Sequence, residues 1–135
     1  MVKKLYGFNI AVKDLASATQ KYEKLLNVKA EHMPEGDFAF PGLNGSIINV
    51  DGVQLHLTAS LTNDTSIAKF LEKKGEGVFL VSLIVSDIEY EMERMKKEGA
   101  IFVSEKPFIV PLGKVNFIHP KSMNGVQFEI LEPVK

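Results

Sequence analysis

The sequence contains no cysteine, which excludes disulfide bonds, thiolate metal sites and cysteine nucleophiles and is typical of a reducing compartment such as the cytoplasm. No apolar stretch approaches the roughly 20 residues that a membrane-spanning helix needs, and the first residues lack the hydrophobic region of a signal peptide. Basic and acidic side chains are nearly balanced, 16 against 17. This balance argues against a non-specific nucleic-acid-binding protein. We therefore expect a cytoplasmic protein with neither a membrane nor a nucleic-acid partner.

Two common catalytic motifs are also missing. The sequence has no glycine-rich phosphate-binding loop and no serine-hydrolase elbow. What it does have is 135 residues, 45% of them hydrophobic. That length and composition suit one domain with an ordinary core, spanning residues 1–135.

The most informative feature is an internal repeat with an offset of 73 residues. The repeated landmarks are the end of a strand, a helix cap, the first apolar residue of a helix, and a motif in a late strand. The matching pairs are Val12 with Val85, Asp14 with Asp87, Leu15 with Ile88, Gly52-Val53-Gln54 with Gly125-Val126-Gln127, and His56 with Glu129. A single duplication of a strand–helix–strands unit predicts two half-domains, each too small to bury a good core alone.

Each repeat begins with a strand followed by a capped helix. Asp14 and Asp87 are predicted N-caps, because an aspartate side chain accepts the free N–H groups of a first helical turn. The apolar stripe of the first helix comprises Leu15, Ala18, Tyr22, Leu25 and Leu26, and that of the second comprises Ile88, Met92 and Met95. Asn27 and Gly99 are predicted to end these helices.

The remaining elements are a linker helix and short strands. Ile67, Phe70 and Leu71 predict a short helix in the linker, with Gly75 as its C-cap. Strands are predicted at Leu5 to Val12, Val53 to Leu57, Val78 to Val85, Ile101 to Val103, Lys114 to Ile118 and Val126 to Leu131. This pattern indicates an α+β protein with module one at 1–60, a linker at 61–77 and module two at 78–135.

Several motifs resemble the vicinal-oxygen-chelate (glyoxalase/bleomycin-resistance/dioxygenase) superfamily, with the best match to the methylmalonyl-CoA epimerase family. Ile10 to Leu15 is similar to that family's first strand and cap, Ser66 to Gly77 to its linker, and His119 to Ser122 with Phe128 to Leu131 to its C-terminal motif. The resemblance covers nearly the whole chain. It implies two βαβββ modules that form an eight-stranded, open, cup-shaped barrel, and it implies a homodimer.

The resemblance also implies a divalent metal, of the Co, Ni, Mn or Zn kind, held by two side chains from each module. Carried over to this sequence, the last-strand positions are His56 and Glu129, and both can ligate. The first-strand positions are Gly7 and Leu80, which have no donor atom. Two protein ligands hold a divalent ion weakly, whereas catalytic zinc sites use three. The metal is therefore in doubt.

Polar residues lie two positions from each of these four sites. If the family's ligand positions face the cup, the residues sharing that face are Asn9, Gln54, Ser82 and Gln127 together with His56 and Glu129. Unpaired polar groups are not tolerated in a core, so one interpretation is a ligand pocket with hydrogen-bonding walls. The other interpretation is a structural network in which His56 and Glu129 pair with each other and with water.

Glu129 is the best candidate for a general base, since burial raises the pKa of a carboxyl group towards neutrality. Epimerisation also needs a second acid or base, for which Glu35 is preferred over Glu31 by position in the family. Both glutamates also fit solvated loop positions. Lys121 and Ser122 are candidates to meet a CoA phosphate, or they form an exposed turn.

Two functions from different classes remain open. The first is an isomerase (epimerase) or lyase that acts by proton transfer on a small carbonyl or acyl-CoA substrate. The second is a metal-free small-molecule-binding protein, like the bleomycin-resistance members of the superfamily, and the paired loss of donors at Gly7 and Leu80 favours it. A variant of the first has the missing metal ligands replaced by Asn9, Ser82 or a bound ligand.

Overall fold

The computed structural model describes the whole chain, Met1–Lys135. Its strands are β1 (Val2–Ala11), β2 (Glu31–Met33), β3 (Leu43–Val50), β4 (Val53–Ser60), β5 (Gly77–Val85), β6 (Phe108–Val110), β7 (Gly113–Ile118) and β8 (Gln127–Pro133). Its α-helices are α1 (Leu15–Leu26), α2 (Ser66–Lys74) and α3 (Ile88–Lys97). The order strand, helix, three strands occurs twice, with α2 between the repeats, which confirms the prediction of an α+β chain with two βαβββ modules. None of the helices has the length and apolar character needed to span a membrane.

Side-chain caps fix the helix starts, as the sequence predicts. Asp14 accepts a hydrogen bond of 3.0 Å from the backbone N–H of Ser17 at the start of α1, and Asp87 accepts the equivalent bond from Tyr90 at the start of α3. Asn27 ends α1 in the left-handed conformation, with φ of 54°. Each cap satisfies backbone groups that a helix end leaves without intrahelical partners.

The chain divides into two compact units. One is Gly7–Phe79, and the other comprises Met1–Tyr6 together with Leu80–Lys135. In the first unit β4 pairs in parallel with β1 and antiparallel with β3, and β3 pairs antiparallel with β2. One face of these strands packs on α1 through a cluster built on Val12, Ile48, Leu57 and Ala59.

A second apolar cluster in the same unit involves α2. Ala11, Leu43 and Ile67 are its buried members, and partly buried side chains pack against them, namely Phe38, Phe70, Leu71 and Phe79. The rings of Phe70 and Phe79 meet edge to face, with centroids 5.2 Å apart. The linker helix therefore packs against strand residues of its own unit, because its apolar side chains need such a surface to be buried.

The other unit repeats this plan with α3. β8 pairs in parallel with β5 and antiparallel with β7, which pairs antiparallel with β6. Ile88 and Met92 of α3 pack against Val85, Ile118 and Ile130 in one buried cluster, with Met95 partly buried against it. The apolar stripe predicted for this helix is confirmed.

Two predictions about element ends and edges are wrong. Leu25 and Leu26 belong to the predicted stripe of α1 but are 76% and 44% exposed, because the last turn of α1 contributes nothing to the cluster that buries the earlier turns. Residues Ile101 to Val103 do not form a strand. Phe102 makes an isolated bridge to Ile118, and the edge strand of this unit is β6, which alternation of the sequence did not reveal.

Candidate functional site

The two parallel strand pairs place the predicted polar residues in equivalent registers. In the first unit Gly7 lies opposite Gln54, and Asn9 lies opposite His56. In the other unit Leu80 lies opposite Gln127, and Ser82 lies opposite Glu129. Each residue of the second set is 73 positions after its counterpart in the first. The 73-residue repeat in the sequence therefore corresponds to the same strand pairing in both units.

Glu129 is held by Ser82. The Ser82 hydroxyl, 1% exposed, donates a hydrogen bond of 2.6 Å to Oε1 of Glu129. Burial raises the pKa of Glu129 to about 7, against the opposing effect of the bond from Ser82, which favours the charged form. A carboxyl group with such a pKa exists in both forms near neutral pH, so it can accept and return a proton.

Tyr6 belongs to the same unit, and sequence reasoning did not identify it. Burial raises the pKa of its phenol, and the negative charge of Glu129 raises it further. The phenol therefore stays protonated beside the carboxylate. Tyr6 immediately precedes Gly7, and strand alternation alone does not mark it as a residue near Glu129.

His56 provides the corresponding group in the first unit. It is 6% exposed, and burial lowers the pKa of its imidazole to about 4. The ring is therefore neutral at pH 7 and carries one nitrogen that donates and one that accepts. Asn9 and Gln54, its neighbours on the two strands, are partly buried. The structure places these three predicted residues on one strand pair.

The residues present do not fit the four-ligand metal site of the family. A Cβ atom at Gly7 would overlap the carbonyl oxygen of Gln54 and lie 2.6 Å from its carbonyl carbon. No side chain, and therefore no ligand, fits there on this backbone. Leu80 is 2% exposed and offers only hydrocarbon. His56 and Glu129 remain as donors, fewer than the three protein ligands of catalytic zinc sites.

A different group of carboxylates lies at the start of α3. Oxygen atoms of Asp87, Glu89 and Glu132 lie within 4.8 Å of one another. Each already has a partner. Asp87 caps the helix, Glu89 accepts from Lys114 Nζ at 2.8 Å, and Glu132 accepts from the N–H of Ile88 at 2.9 Å. These contacts stabilise the first turn of α3.

Glu35, the predicted second acid or base, lies in a 3₁₀ turn at Glu35–Asp37. Its residue is exposed, and its Oε2 accepts a 2.7 Å hydrogen bond from the backbone N–H of Gly42. Glu35 thus closes the loop that precedes β3. Glu31, the less favoured candidate, is exposed on β2.

Lys121 and Ser122 form a second 3₁₀ turn, Pro120–Ser122, which His119 caps by accepting the N–H of Lys121 on Nδ1. The Ser122 hydroxyl accepts from the N–H of Ile101 and donates to the carbonyl of His119. Lys121 is exposed. The serine holds this turn against the loop after α3, while the lysine side chain can meet solvent or an anionic group.

Thr58 is another residue that sequence reasoning missed. It lies two positions after His56 on β4, is 1% exposed, and has no hydrogen-bond partner for its hydroxyl. Strand alternation was the signal that could have found it, because residues two apart share a face.

Comparison with known proteins identifies relatives along the whole chain. Residues 8–118 match the model of the glyoxalase/bleomycin resistance protein/dioxygenase superfamily. Human mitochondrial methylmalonyl-CoA epimerase is 32% identical over 124 residues, which cover 90% of this chain and 69% of that protein. The crystal structure of methylmalonyl-CoA epimerase from Mycobacterium tuberculosis is 33% identical, covers 99% of this chain and 90% of that one, and superposes with a TM-score of 0.90.

A structure of lower identity shares the fold as well. A variant of Streptomyces coelicolor methylmalonyl-CoA epimerase, in complex with 2-nitronate-propionyl-CoA, is 20% identical over the full length of both chains, with a TM-score of 0.84. The glyoxalase-like fold expected from the sequence is thereby confirmed. From the family match and these relatives, the chain belongs to the glyoxalase/bleomycin resistance protein/dioxygenase superfamily.

Proposed function

We propose that this protein catalyses proton transfer at the carbon next to the carbonyl of a small acyl-CoA or related carbonyl compound, with Glu129 as the base and without a bound metal. The observation that carries the proposal is Glu129 itself. Burial brings the pKa of its carboxyl group to about 7, and Ser82 fixes one of its oxygens at 2.6 Å. The relationship to methylmalonyl-CoA epimerases supports the substrate class.

In the proposed step the C–H bond at the α-carbon breaks and its proton passes to the Glu129 carboxylate. The electron pair moves into the carbonyl group and forms an enolate oxygen. This oxygen needs hydrogen-bond donors that are in place before the reaction. Gln127 lies two residues before Glu129 on β8, and therefore on the same face of the strand, and its side-chain amide offers an N–H for that role.

Reprotonation on the other face of the carbon completes an epimerisation, and Glu35 stays the second acid or base that the family resemblance predicts. Its Oε2 accepts the hydrogen bond from the N–H of Gly42. Replacing Glu35 by Gln is expected to abolish epimerisation while proton exchange continues through Glu129. Asp37→Asn, in the same turn, is the control and keeps both activities.

Deuterium incorporation tests the reaction. Protein purified without chelators is incubated with methylmalonyl-CoA or propionyl-CoA in deuterated water, with a protein-free sample to correct for spontaneous exchange, and its metal content is measured in parallel. We expect protein-dependent α-deuteration that survives EDTA and needs no stoichiometric metal. Exchange that disappears with EDTA and returns with added divalent metal contradicts the metal-free mechanism.

The exchange rate should depend on pH in the range where an ordinary glutamate does not titrate. With a pKa of about 7 for Glu129, the carboxylate fraction rises about tenfold between pH 6 and pH 8, and the rate rises with it. Ser82→Ala removes the bond that lowers this pKa, so it should move the midpoint to higher pH. An exchange rate that does not change between pH 6 and pH 8 would show that a group other than Glu129 accepts the proton.

A second candidate function is metal-free binding of a small molecule without chemistry. The closed position at Gly7 and the hydrocarbon at Leu80 favour it, since both remove donors that the family uses for catalysis. The two functions are separated by one comparison. Calorimetric binding of an acyl-CoA with no α-deuteration supports the binding protein, and binding with deuteration supports the enzyme.

A further inference from the structure

A groove lies between helix α1 and the strand pair β2–β3 in the unit Gly7–Phe79. Its floor is the row of alternate residues on β3 that faces the helix. Ile48 of this row is buried in the cluster with α1, whereas the next two members, Ser46 and Asn44, line the groove. His32 lines it from the position opposite Ser46 on β2. The groove has a volume of about 660 Å³, which is within the range of small-ligand sites.

Two hydroxyl groups meet in this groove. Oγ1 of Thr19, on α1, and Oγ of Ser46, on β3, lie 2.7 Å apart and share a hydrogen bond. Ser46 is 6% exposed. The bond uses the proton of only one of the two hydroxyls, so the other proton can be donated to an acceptor in the groove. A carbonyl oxygen of a ligand is such an acceptor.

The other unit contains an equivalent position. In the unit with the groove, Ser46 lies opposite Leu57 of β4. In the other unit, Asn116 of β7 lies opposite Ile130 of β8, and Ile130 is 73 positions after Leu57. Ser46 and Asn116 therefore occupy the same place in the two repeats, and the surroundings of Asn116 show what this place can hold.

At its position in the second repeat, Asn116 contacts the main chain of its own unit. Its Nδ2 donates a 2.9 Å hydrogen bond to the carbonyl oxygen of Ser104 and approaches the sulfur of Met92 on α3 at 3.5 Å. Met92 is 73 positions after Thr19, so the helix contact is repeated as well. Asn116 is fully buried, with 0% exposure. A main-chain carbonyl thus fills in one repeat the place that forms an open groove in the other.

Extra residues in the second repeat explain this difference. There Phe102 bridges to Ile118, and Phe108 pairs with Val115. Between these two pairs the outer segment advances six positions while β7 advances three, so the outer segment bulges, and Ser104 lies in the bulge. In the first repeat β2 pairs with β3 residue for residue. This edge strand therefore has no surplus residues to fill the groove.

The charges around the groove favour a cation. Asp14 and Glu23 line it, and its lining contains no lysine or arginine. One oxygen of Asp14 accepts the N–H of Ser17, and one oxygen of Glu23 accepts the N–H of Ala30, which leaves the other oxygen of each carboxylate for a ligand. Glu23 lies four residues after Thr19, so their Cβ atoms are about 5–6 Å apart on one face of α1. A lysine residue can span this distance between its main-chain carbonyl and its ammonium group.

We propose that this groove binds a peptide segment of a partner protein, with a main-chain carbonyl on the Thr19–Ser46 hydroxyl pair and a lysine or arginine side chain beside Glu23. A peptide is the expected occupant, because the protein places its own main-chain carbonyl at the equivalent position of the second repeat. A basic side chain is expected, because the lining contains carboxylates without lysine or arginine. The inference is independent of the proposed function, since no residue of the groove belongs to the unit that contains Glu129.

Blocked tripeptides test the proposal by NMR titration of the isotope-labelled protein. The probes are acetyl-Ala-Lys-Ala-amide, the same peptide with norleucine, whose side chain has nearly the same shape without the charge, and the same peptide with glutamate. We expect the lysine peptide to shift amide signals of α1, β2 and β3 and to bind about fivefold more tightly than the norleucine peptide, as one partly exposed ion pair allows. The glutamate peptide should bind most weakly.

Two variants separate the two contacts. Glu23→Gln keeps an acceptor for the N–H of Ala30 but removes the charge, so it should abolish the preference for lysine. The double variant Thr19→Val with Ser46→Ala removes both hydroxyls and leaves neither without its partner, so it should fold. It should bind the lysine and norleucine peptides about fivefold more weakly, as the loss of one hydrogen bond allows. Glu72→Gln is the control that keeps the preference, because Glu72 is exposed on α2 and does not line the groove.

Three results would overturn the inference. The first is equal binding of the lysine and norleucine peptides by the unmodified protein. The second is a preference for lysine that survives in E23Q, or peptide affinities that the double variant leaves unchanged. The third is a set of shifted signals that lies outside α1, β2 and β3, since the peptide would then bind elsewhere on the protein.

Discussion

Replacing Glu129 by Gln should reduce α-proton exchange by about a thousandfold, within the range that a positioned general base contributes. The carboxylate is the proton acceptor in the proposed step, and an amide cannot take its place. Gln has nearly the same shape and can still accept the 2.6 Å hydrogen bond from Ser82. The loss is therefore expected in the rate constant of exchange rather than in the dissociation constant of the thioester, and single-turnover exchange with calorimetric binding separates the two.

Glu132→Gln is the matched control for this substitution. Glu132 lies three residues further along β8 and caps α3 through the N–H of Ile88, a contact that Gln can keep. Exchange by E132Q should equal that of the unmodified protein. Exchange by E129Q within threefold of the unmodified rate would exclude Glu129 as the base.

The free energy of unfolding, measured at two pH values, should confirm that E129Q is folded. The folded-state pKa of Glu129, about 7, lies above the ordinary value of 4.5, so between these values the folded chain binds more protons than the unfolded one. The stabilising contribution of this group is complete below pH 4.5 and is lost as pH rises through 7. At pH 8, E129Q should be more stable than the unmodified protein by about 1–3 kcal/mol, because the charge is no longer buried. Urea unfolding at pH 5 and pH 8 measures the difference.

Local hydrogen bonding is the part of this structure that the sequence predicts best. The caps at Asp14 and Asp87 and the left-handed residue Asn27 depend on neighbours within three or four positions, so single-sequence patterns contain the necessary information. The offset of 73 also predicts that β1 with β4 and β5 with β8 pair in the same register. The reason is that the first and last strands of each repeat are separated by the same number of residues.

Features that depend on distant partners were not predictable in the same way. Periodicity identifies the apolar stripe of α1 but not where the sheet beneath it stops, so it places Leu25 in the core although this residue is 76% exposed. The edge strand β6 is defined by its pairing with β7, and its sequence does not distinguish it from Ile101 to Val103. The influence of Glu129 on Tyr6 likewise arises from tertiary structure.

To explain why position 7 holds no metal ligand, both the residue type and the tertiary structure are needed. The sequence shows that Gly7 has no donor atom. Judged from the sequence alone, a substitution could restore a metal ligand at this position. The structure adds that the Gln54 backbone occupies the space in question. Position 7 therefore lacks a ligand for two reasons. Glycine has no donor atom, and β1 and β4 approach too closely to admit a side chain.

Substituting Gly7 with Ala should accordingly destabilise the protein by about 2–4 kcal/mol, because the added methyl group overlaps backbone atoms of Gln54 that cannot rotate away. Gly36→Ala is the control, since no atom lies within 4 Å of where its Cβ would be and its φ is ordinary, and its stability should stay within about 0.5 kcal/mol. Urea unfolding measures both. Gly7→His, the change that would restore the family's ligand, should fail to fold rather than bind a divalent metal. If G7A unfolds at the same urea concentration as the unmodified protein, β1 and β4 can move apart at little cost, and the steric argument against a ligand at position 7 no longer holds.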